Sequence, residues 1–277
     1  MPSVIEKHEL DHHLDADDTH IADHLQLTQA AMAITNIERC VESVHVWCTS
    51  KRLQLNPTKS EIIWFGSRTS LHHLQGVDLS LHICADIIAP LSIVCDLDVL
   101  LDSELSMTSH ITKISIICYY QFIRLKQVRR FLEENIKARL VSTFIISRLD
   151  YCNAILAGLP QSMMASFQHV KNAMVRMIKR LGARHHITEA RHNLHWLLIT
   201  YRVIYKLCIL MHMVHIDCGP GYISELVSAT SALPVRSRRR SSGGNRYELL
   251  VDQPQDWSTS FLLCWSFRLK QFTNHSN

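Results

Sequence analysis

No two of the nine cysteines lie closer than eight residues apart, so the close pairs that build zinc knuckles and redox sites are missing. An odd, scattered set is also no disulfide framework, and such thiols fit a reducing, intracellular compartment. A span of the bilayer takes about 20 clean apolar residues. The greasiest stretch, Leu194 to Ile216, is broken by His195, Arg202, Lys206, His212 and His215, so no membrane partner is expected. Histidines and acids fill the start of the chain before any apolar run, which is not a secretory signal. There is no internal repeat. What is present, 47% apolar and 19% charged residues among 277, excludes disorder of the whole chain and suffices for one large core or two modest ones.

The net charge of +4 conceals an uneven distribution. Residues 1–24 hold seven acids and one lysine. Between Arg124 and Lys206, fifteen Lys/Arg stand against four Asp/Glu, a local excess of +11, and the rest of the chain sums to −7. Segregation of this kind bears on partners more than the total does.

Periodicity divides the chain. Ile34, Ile37, Val41, Val44 and Cys48 recur every three or four residues and predict a helix ending near Asn56-Pro57. The period then falls to two through "EIIWFG", through Val77, Leu79, Leu81 and Ile83, and through Cys95, Leu97, Val99 and Leu101, which predicts half-buried strands with a turn at Pro90. After Ser106 the helical period returns, from Ile111 to Leu132. A second helix, capped by Asn135, runs to about Leu149, and a third runs from Pro160 to Leu181 and stops at Gly182. Leu197 to Val214 is apolar nearly all round and predicts a helix buried in the helical half. From Cys218 the pattern fades, and "FLLCWSF" near the end has no clear partner.

Three features carry candidate chemistry. "LDADDTH" contains adjacent carboxylates, Asp17 and Asp18. Adjacent acids ordinarily face water or cap a helix, but held close together they can bind two divalent ions for phosphoryl transfer. His8 with His12, and His20 with His24, stand four residues apart and, with nearby acids, form a weaker metal-binding candidate. Arg124, Lys126, Arg129, Arg130, Lys171, Arg176, Lys179 and Arg180 are the cations of helical stretches, able to track a phosphate backbone by counterion release. The plainer reading of any one of them is a solvated helix face.

Four blocks in order, "RLQLNPTKSEIIWFGS", "LDVLLDSELSMTSHI", "SRLDYCNAILAGLP" and "NLHWLLITYRVIYKL", follow "LDADDTH". A fifth, "GPGYISELV", comes after them. Together, from about Leu14 to Val227, they resemble the C-terminal half of the reverse transcriptase of jockey-like and chicken-repeat-like retrotransposons that lack long terminal repeats. The resemblance implies an α+β fold. Residues 1–13 are then a polar start, 14–105 a partial palm of few antiparallel strands and one helix, 106–216 a helical thumb-like region, and 217–277 a degenerate, flexible tail.

The same resemblance implies roles. Asp17 and Asp18 become catalytic-turn ligands of magnesium, with Asp15 standing where the family has an aromatic. Lys59 becomes a cation near the triphosphate, and the eight basic residues become contacts for an RNA/DNA template-primer. Asp98 replaces a usual glycine, which raises the question of a left-handed turn. Only fourteen residues precede Asp15. Fingers and the first palm carboxylate are therefore not expected in this chain, which is read as a truncated RNA-directed DNA polymerase, inactive alone, retaining weak nucleic-acid binding. The alternative is a non-enzymatic helical interaction protein with no nucleic-acid role. The choice between nucleus and cytoplasm, and the oligomeric state, are left open.

Overall fold

The computed structural model describes residues 1–16, 18–56, 59–74, 76–83, 86–229, 247–249 and 260–271. The fold is mixed α+β, and the chain divides into two compact units, residues 1–106 with 253–277 and residues 107–252. Unit 1 opens with a short helix α1 (Pro2–Ile5), then β1 (Asp11–Asp15) and β2 (Asp18–Gln26), antiparallel, with Asp15 facing Asp18 across a two-residue bend. The predicted helix follows as α2 (Ala30–Ser50), its stripe of Ala33, Ile34, Ile37, Cys40, Val41, Val44 and Cys48 buried. The helix ends before Pro57, because Arg52 takes a left-handed conformation (φ 59°) that turns the chain into β3 (Leu53–Leu55).

β4 (Glu61–Phe65) is apolar at consecutive positions because both of its faces are covered. Ile62 and Trp64 join the α2 core with Ile21, Leu25, Leu55, Leu81 and Ile83, whereas Ile63 and Phe65 pack with Val94 on the other side. Ser67 then caps α3 (Arg68–His73), its hydroxyl accepting from the Ser70 amide. Two hairpins complete this stretch, β5 (Leu81–Ile83) with β6 (Asp86–Ile88) and β7 (Ile93–Asp96) with β8 (Val99–Asp102). The alternating run Cys95 to Leu101 is therefore not one strand. It turns at Leu97-Asp98, both at positive φ (43° and 65°), so a two-residue reversal replaces the straight continuation that alternation alone suggested.

Unit 2 begins with α4 (Thr108–Val128), whose buried side is Ile111, Ile114, Ser115 and Cys118. α5 (Glu134–Val141), a π-helical turn (Ser142–Ile146) and α6 (Ser147–Asp150) follow as one run. α7 (Gln161–Ile178) starts after Pro160, as predicted, and packs against α4, α5 and a later helix. It buries Phe167, Val170, Met174 and Met177 at helical spacing, each worth roughly 1.5–3 kcal/mol of apolar transfer. α8 (Thr188–Asn193) leads to that later helix, α9 (Ile199–His215). Here the expectation of a wholly buried helix fails. Only Ile199, Val203 and Val214 of α9 are buried, while Tyr201, Ile204, Tyr205 and Ile209 are exposed. Apolar content on every side shows what a helix could bury, but the contacts are made along one stripe. α10 (Gly221–Leu226) and the pair β9 (Val227–Ala229) and β10 (Tyr247–Leu249) close the unit. Among the described residues no helix is long and apolar enough to cross a membrane.

The chain then returns to unit 1 as β11 (Ser260–Gln271), which contains the "FLLCWSF" run that had no clear partner in the sequence. This strand is the centre of a five-stranded antiparallel sheet. Ser260–Arg268 pairs with Gln26–Asp18 of β2 on one edge, Leu262–Ser266 pairs with Phe65–Glu61 of β4 on the other, and Leu269–Gln271 continues along β3. An apolar run needs a two-sided partner, and the sequence separation of that partner hides it from any local pattern.

Candidate functional site

The acidic motif lies at the bend of the β1–β2 hairpin. Ala16 occupies the first turn position at φ 54° and Asp18 opens β2 opposite Asp15. Asp17 lies outside the described residues. Two carboxylates facing each other across a closing pair repel, and a bound cation would offset that repulsion. The register carries the site further. Across β11, Ser266 stands between His20 of β2 and Glu61 of β4. The bend and the turn bearing Lys59, two residues before Glu61, therefore share one end of the sheet. Two strand spacings separate the strands they belong to, about 10 Å. Lys59 is exposed there, its amide bonded to the Asn56 carbonyl at 3.0 Å.

Among the described residues no group of three or more His, Cys, Asp and Glu is placed to hold a metal ion. Asp15 and Asp18 supply two carboxylates at the bend, so the described donors alone are a partial set for magnesium. The histidine series does not share a helix face, because His12, His20 and His24 stand on strands. His8 contacts the Ser43 hydroxyl at 3.0 Å, His20 approaches the Asp96 carboxylate at 3.4 Å, and His24 lies 3.9 Å from Asp11. These three are thus placed by structural contacts. Buried thiols are no better as nucleophiles, since burial pushes Cys40 and Cys118 up to about 11.

The eight basic residues part company in unit 2. Lys171 corrects the sequence reading. It is fully buried on α7, because it falls four residues after Phe167 and three before Met174, on the apolar stripe itself, and a side chain there does not reach a phosphate. Lys179 is engaged, its Nζ donating to Glu134 Oε1 at 2.6 Å. Arg124 lies over the Tyr120 ring at 5.8 Å, and Lys126 is exposed. Arg129, Arg130, Arg176 and Arg180 converge, lining one recess of about 400 Å³ with Leu181 and Gly182. None of these four has an acidic partner among the described residues.

Sequence reasoning missed one constellation. Asp150 and Arg202 come from two of the resembling blocks, "SRLDYCNAILAGLP" and "NLHWLLITYRVIYKL", and form a two-pronged ion pair, Arg202 Nε donating to Asp150 Oδ1 at 2.6 Å and the second guanidinium nitrogen to Oδ2. The hydrogen bond to Asp150 holds the Arg202 pKa above its usual value. The pair ties α6 to α9 across 52 positions of chain. Beside it, Gln168 accepts from the Ile199 amide at 3.0 Å. No spacing rule joins such distant residues; their co-occurrence in two recognisable blocks was the available signal. Lys137, also buried, donates to the Ile178 carbonyl at 3.2 Å and so closes the C-terminus of α7. Comparison with known proteins finds no matching family model, no matching curated protein and no matching solved structure.

Proposed function

We propose that this chain is the post-catalytic half of a retrotransposon reverse transcriptase-like protein, derived from an RNA-directed DNA polymerase, that binds nucleic acid weakly and does not polymerise by itself. The observation that carries the reading is the tight hairpin whose bend bears "DADD", with the Lys59 turn at the same end of its sheet. In polymerase chemistry such a bend presents carboxylates to magnesium, which activates the primer hydroxyl and stabilises the leaving pyrophosphate. This chain's own contribution would be the carboxylates of Asp17 and Asp18, with Asp18 at the start of β2, and the Lys59 ammonium near the triphosphate charge.

Nucleic-acid binding rests on the charge segregation and on four arginines gathered with no acidic partner among the described residues. Each phosphate neutralised releases condensed counterions, an affinity that needs no base reading. A second reading, a non-enzymatic helical interaction protein, draws on the exposed aromatic and aliphatic residues of α4 and α9, Tyr119, Tyr120, Ile123, Tyr201 and Tyr205.

The deciding experiment mixes the purified full chain with a labelled RNA–DNA primer–template, with and without magnesium. Saturable binding without primer extension is expected. Folded, monodisperse protein that ignores the duplex overturns the proposal in favour of the second reading. Extension abolished by Asp17→Asn overturns the claim of inactivity.

A further inference from the structure

The recess between the C-terminal ends of α4 and α7 has more positive charge than its own fold neutralises. Arg129 and Arg130 follow α4; Arg176 lies in the last turn of α7 and Arg180 just beyond it. A plainer origin for cations here is the helix dipole, which favours them at C-termini. The magnitudes do not balance, because two helix ends contribute about half a negative charge each against four guanidinium groups. Glu134 of α5 is committed to Lys179.

Two details of α7 fix where these charges stand. Arg176 Nε is buried with no hydrogen-bond partner, and a buried donor left unmade is costly. The Leu181 amide bonds back to the Arg176 carbonyl at 2.9 Å, which closes the helix through Arg180 in a left-handed conformation at φ 55°. That position favours glycine. The strained backbone carries an arginine into the recess instead.

Next to Arg130 in the chain, Phe131 is 86% exposed. Earlier on α4, Tyr119 and Tyr120 are also exposed, with Arg124 over the Tyr120 ring. Aromatic side chains interleaved with cations are the chemistry of single-strand binding, in which bases stack and phosphates pair. The volume of about 400 Å³ accommodates a hydrated phosphodiester, since one water takes about 30 Å³.

We infer that the Arg129–Arg130–Arg176–Arg180 recess binds a phosphate of a single-stranded stretch of nucleic acid, with Phe131 stacking on an adjacent base. The forked guanidinium groups match phosphate oxygens two at a time. The inference rests on the nucleic-acid reading proposed above and sharpens it from a diffuse basic surface to one seat.

The test uses the full chain and fluorescence anisotropy with a labelled single-stranded oligonucleotide and a blunt RNA–DNA duplex, each titrated with salt. Arg176→Gln/Arg180→Gln is expected to weaken single-strand binding by about tenfold or more and to lower the slope of log affinity against log salt by about one, the share of the one phosphate seated there. Phe131→Ser is expected to weaken single-strand binding by about tenfold and to leave the blunt duplex nearly unchanged. Arg139→Gln/Lys206→Gln, which removes the same charge from exposed positions outside the recess, is expected to change affinity by less than about threefold. Where circular dichroism shows that the first variant has unfolded, Arg129→Gln/Arg130→Gln replaces it. Equal losses in the recess and control variants overturn the seat while duplex binding, and so the broader proposal, stands. A rise in Tm with inorganic tripolyphosphate, in a protein that ignores the oligonucleotide, overturns the strand in favour of a free polyphosphate. Absence of binding to both nucleic acids removes the inference together with its premise.

Discussion

Lys171 is the residue whose surroundings run furthest against its chemistry. It is fully buried, its ammonium lacks a hydrogen-bond partner, and burial first, then the Arg202 charge, against the opposing pull of Asp150, pushes its pKa down to about 7. An unfolded lysine titrates near 10.4. Between about pH 7 and pH 10 the unfolded chain therefore binds more protons than the folded one, and stability rises with pH. Below about pH 7 the fold bears the whole cost of the buried charge, on the order of a few kcal/mol. Lys171→Met is expected to raise the Tm of residues 107–252 by several degrees at about pH 6, with the gain shrinking toward about pH 10, in melts followed by circular dichroism. A gain independent of pH contradicts this assignment. The burial was legible: the spacing from Phe167 to Lys171 to Met174 marks the apolar face, and attention to charge obscured it.

Leu97 and Asp98 show the reverse case, a residue-level warning that the structure makes concrete. Asp98 stands where the resembling family has glycine, and both turn residues adopt positive φ. A side chain in that region costs about 1–2 kcal/mol, less for Asp than for Leu. Leu97→Asn with Asp98→Gly is expected to stabilise the β7–β8 hairpin, with about 1–2 kcal/mol of gain in urea unfolding. A net loss in the same measurement contradicts it.

At the scale of elements, local signals did well wherever the partner was near in sequence. The stripe of α2 and the Pro160 start of α7 are each written in a few consecutive residues and reappear with shifts of boundary, while the "EIIWFG" strand reappears as β4 but buried on both faces rather than half-buried. Two elements resisted. The alternation through Cys95–Leu101 has the right period but conceals a reversal, since period alone does not report where φ turns positive. β11 was legible as apolar and illegible as structure, because its partners β2, β3 and β4 lie roughly two hundred residues earlier in the chain. Its position between β2 and β4 pairs edges that would otherwise stand open, and open edges recruit other chains. Deleting residues 260–271 is expected to turn unit 1 from a cooperatively folding sheet into an aggregating species, measured by light scattering and the loss of a thermal transition. A soluble, monodisperse deletion variant with that transition intact contradicts the role given to β11.

At the scale of the whole molecule, two units carry opposite chemistry, an acidic hairpin in one and uncompensated arginines in the other. Composition announced that segregation, and the order of five sequence blocks suggested its origin. What composition did not contain was the sorting of the cations. Lys171 is withdrawn into the core, Lys179 is paired, and four arginines are gathered into one recess, because helical phase and the closing of α4 and α7 decide where each side chain goes.

The central claim is that the gathered cations serve phosphate. Its most direct measurement is the affinity of the full chain for an RNA–DNA duplex between about 50 and 200 mM salt. The expected result is a linear fall of log affinity against log salt, at least as steep as about −1, the slope for one neutralised phosphate. Affinity that is flat across that range, or binding that is absent at its lower end in a folded protein, contradicts the account.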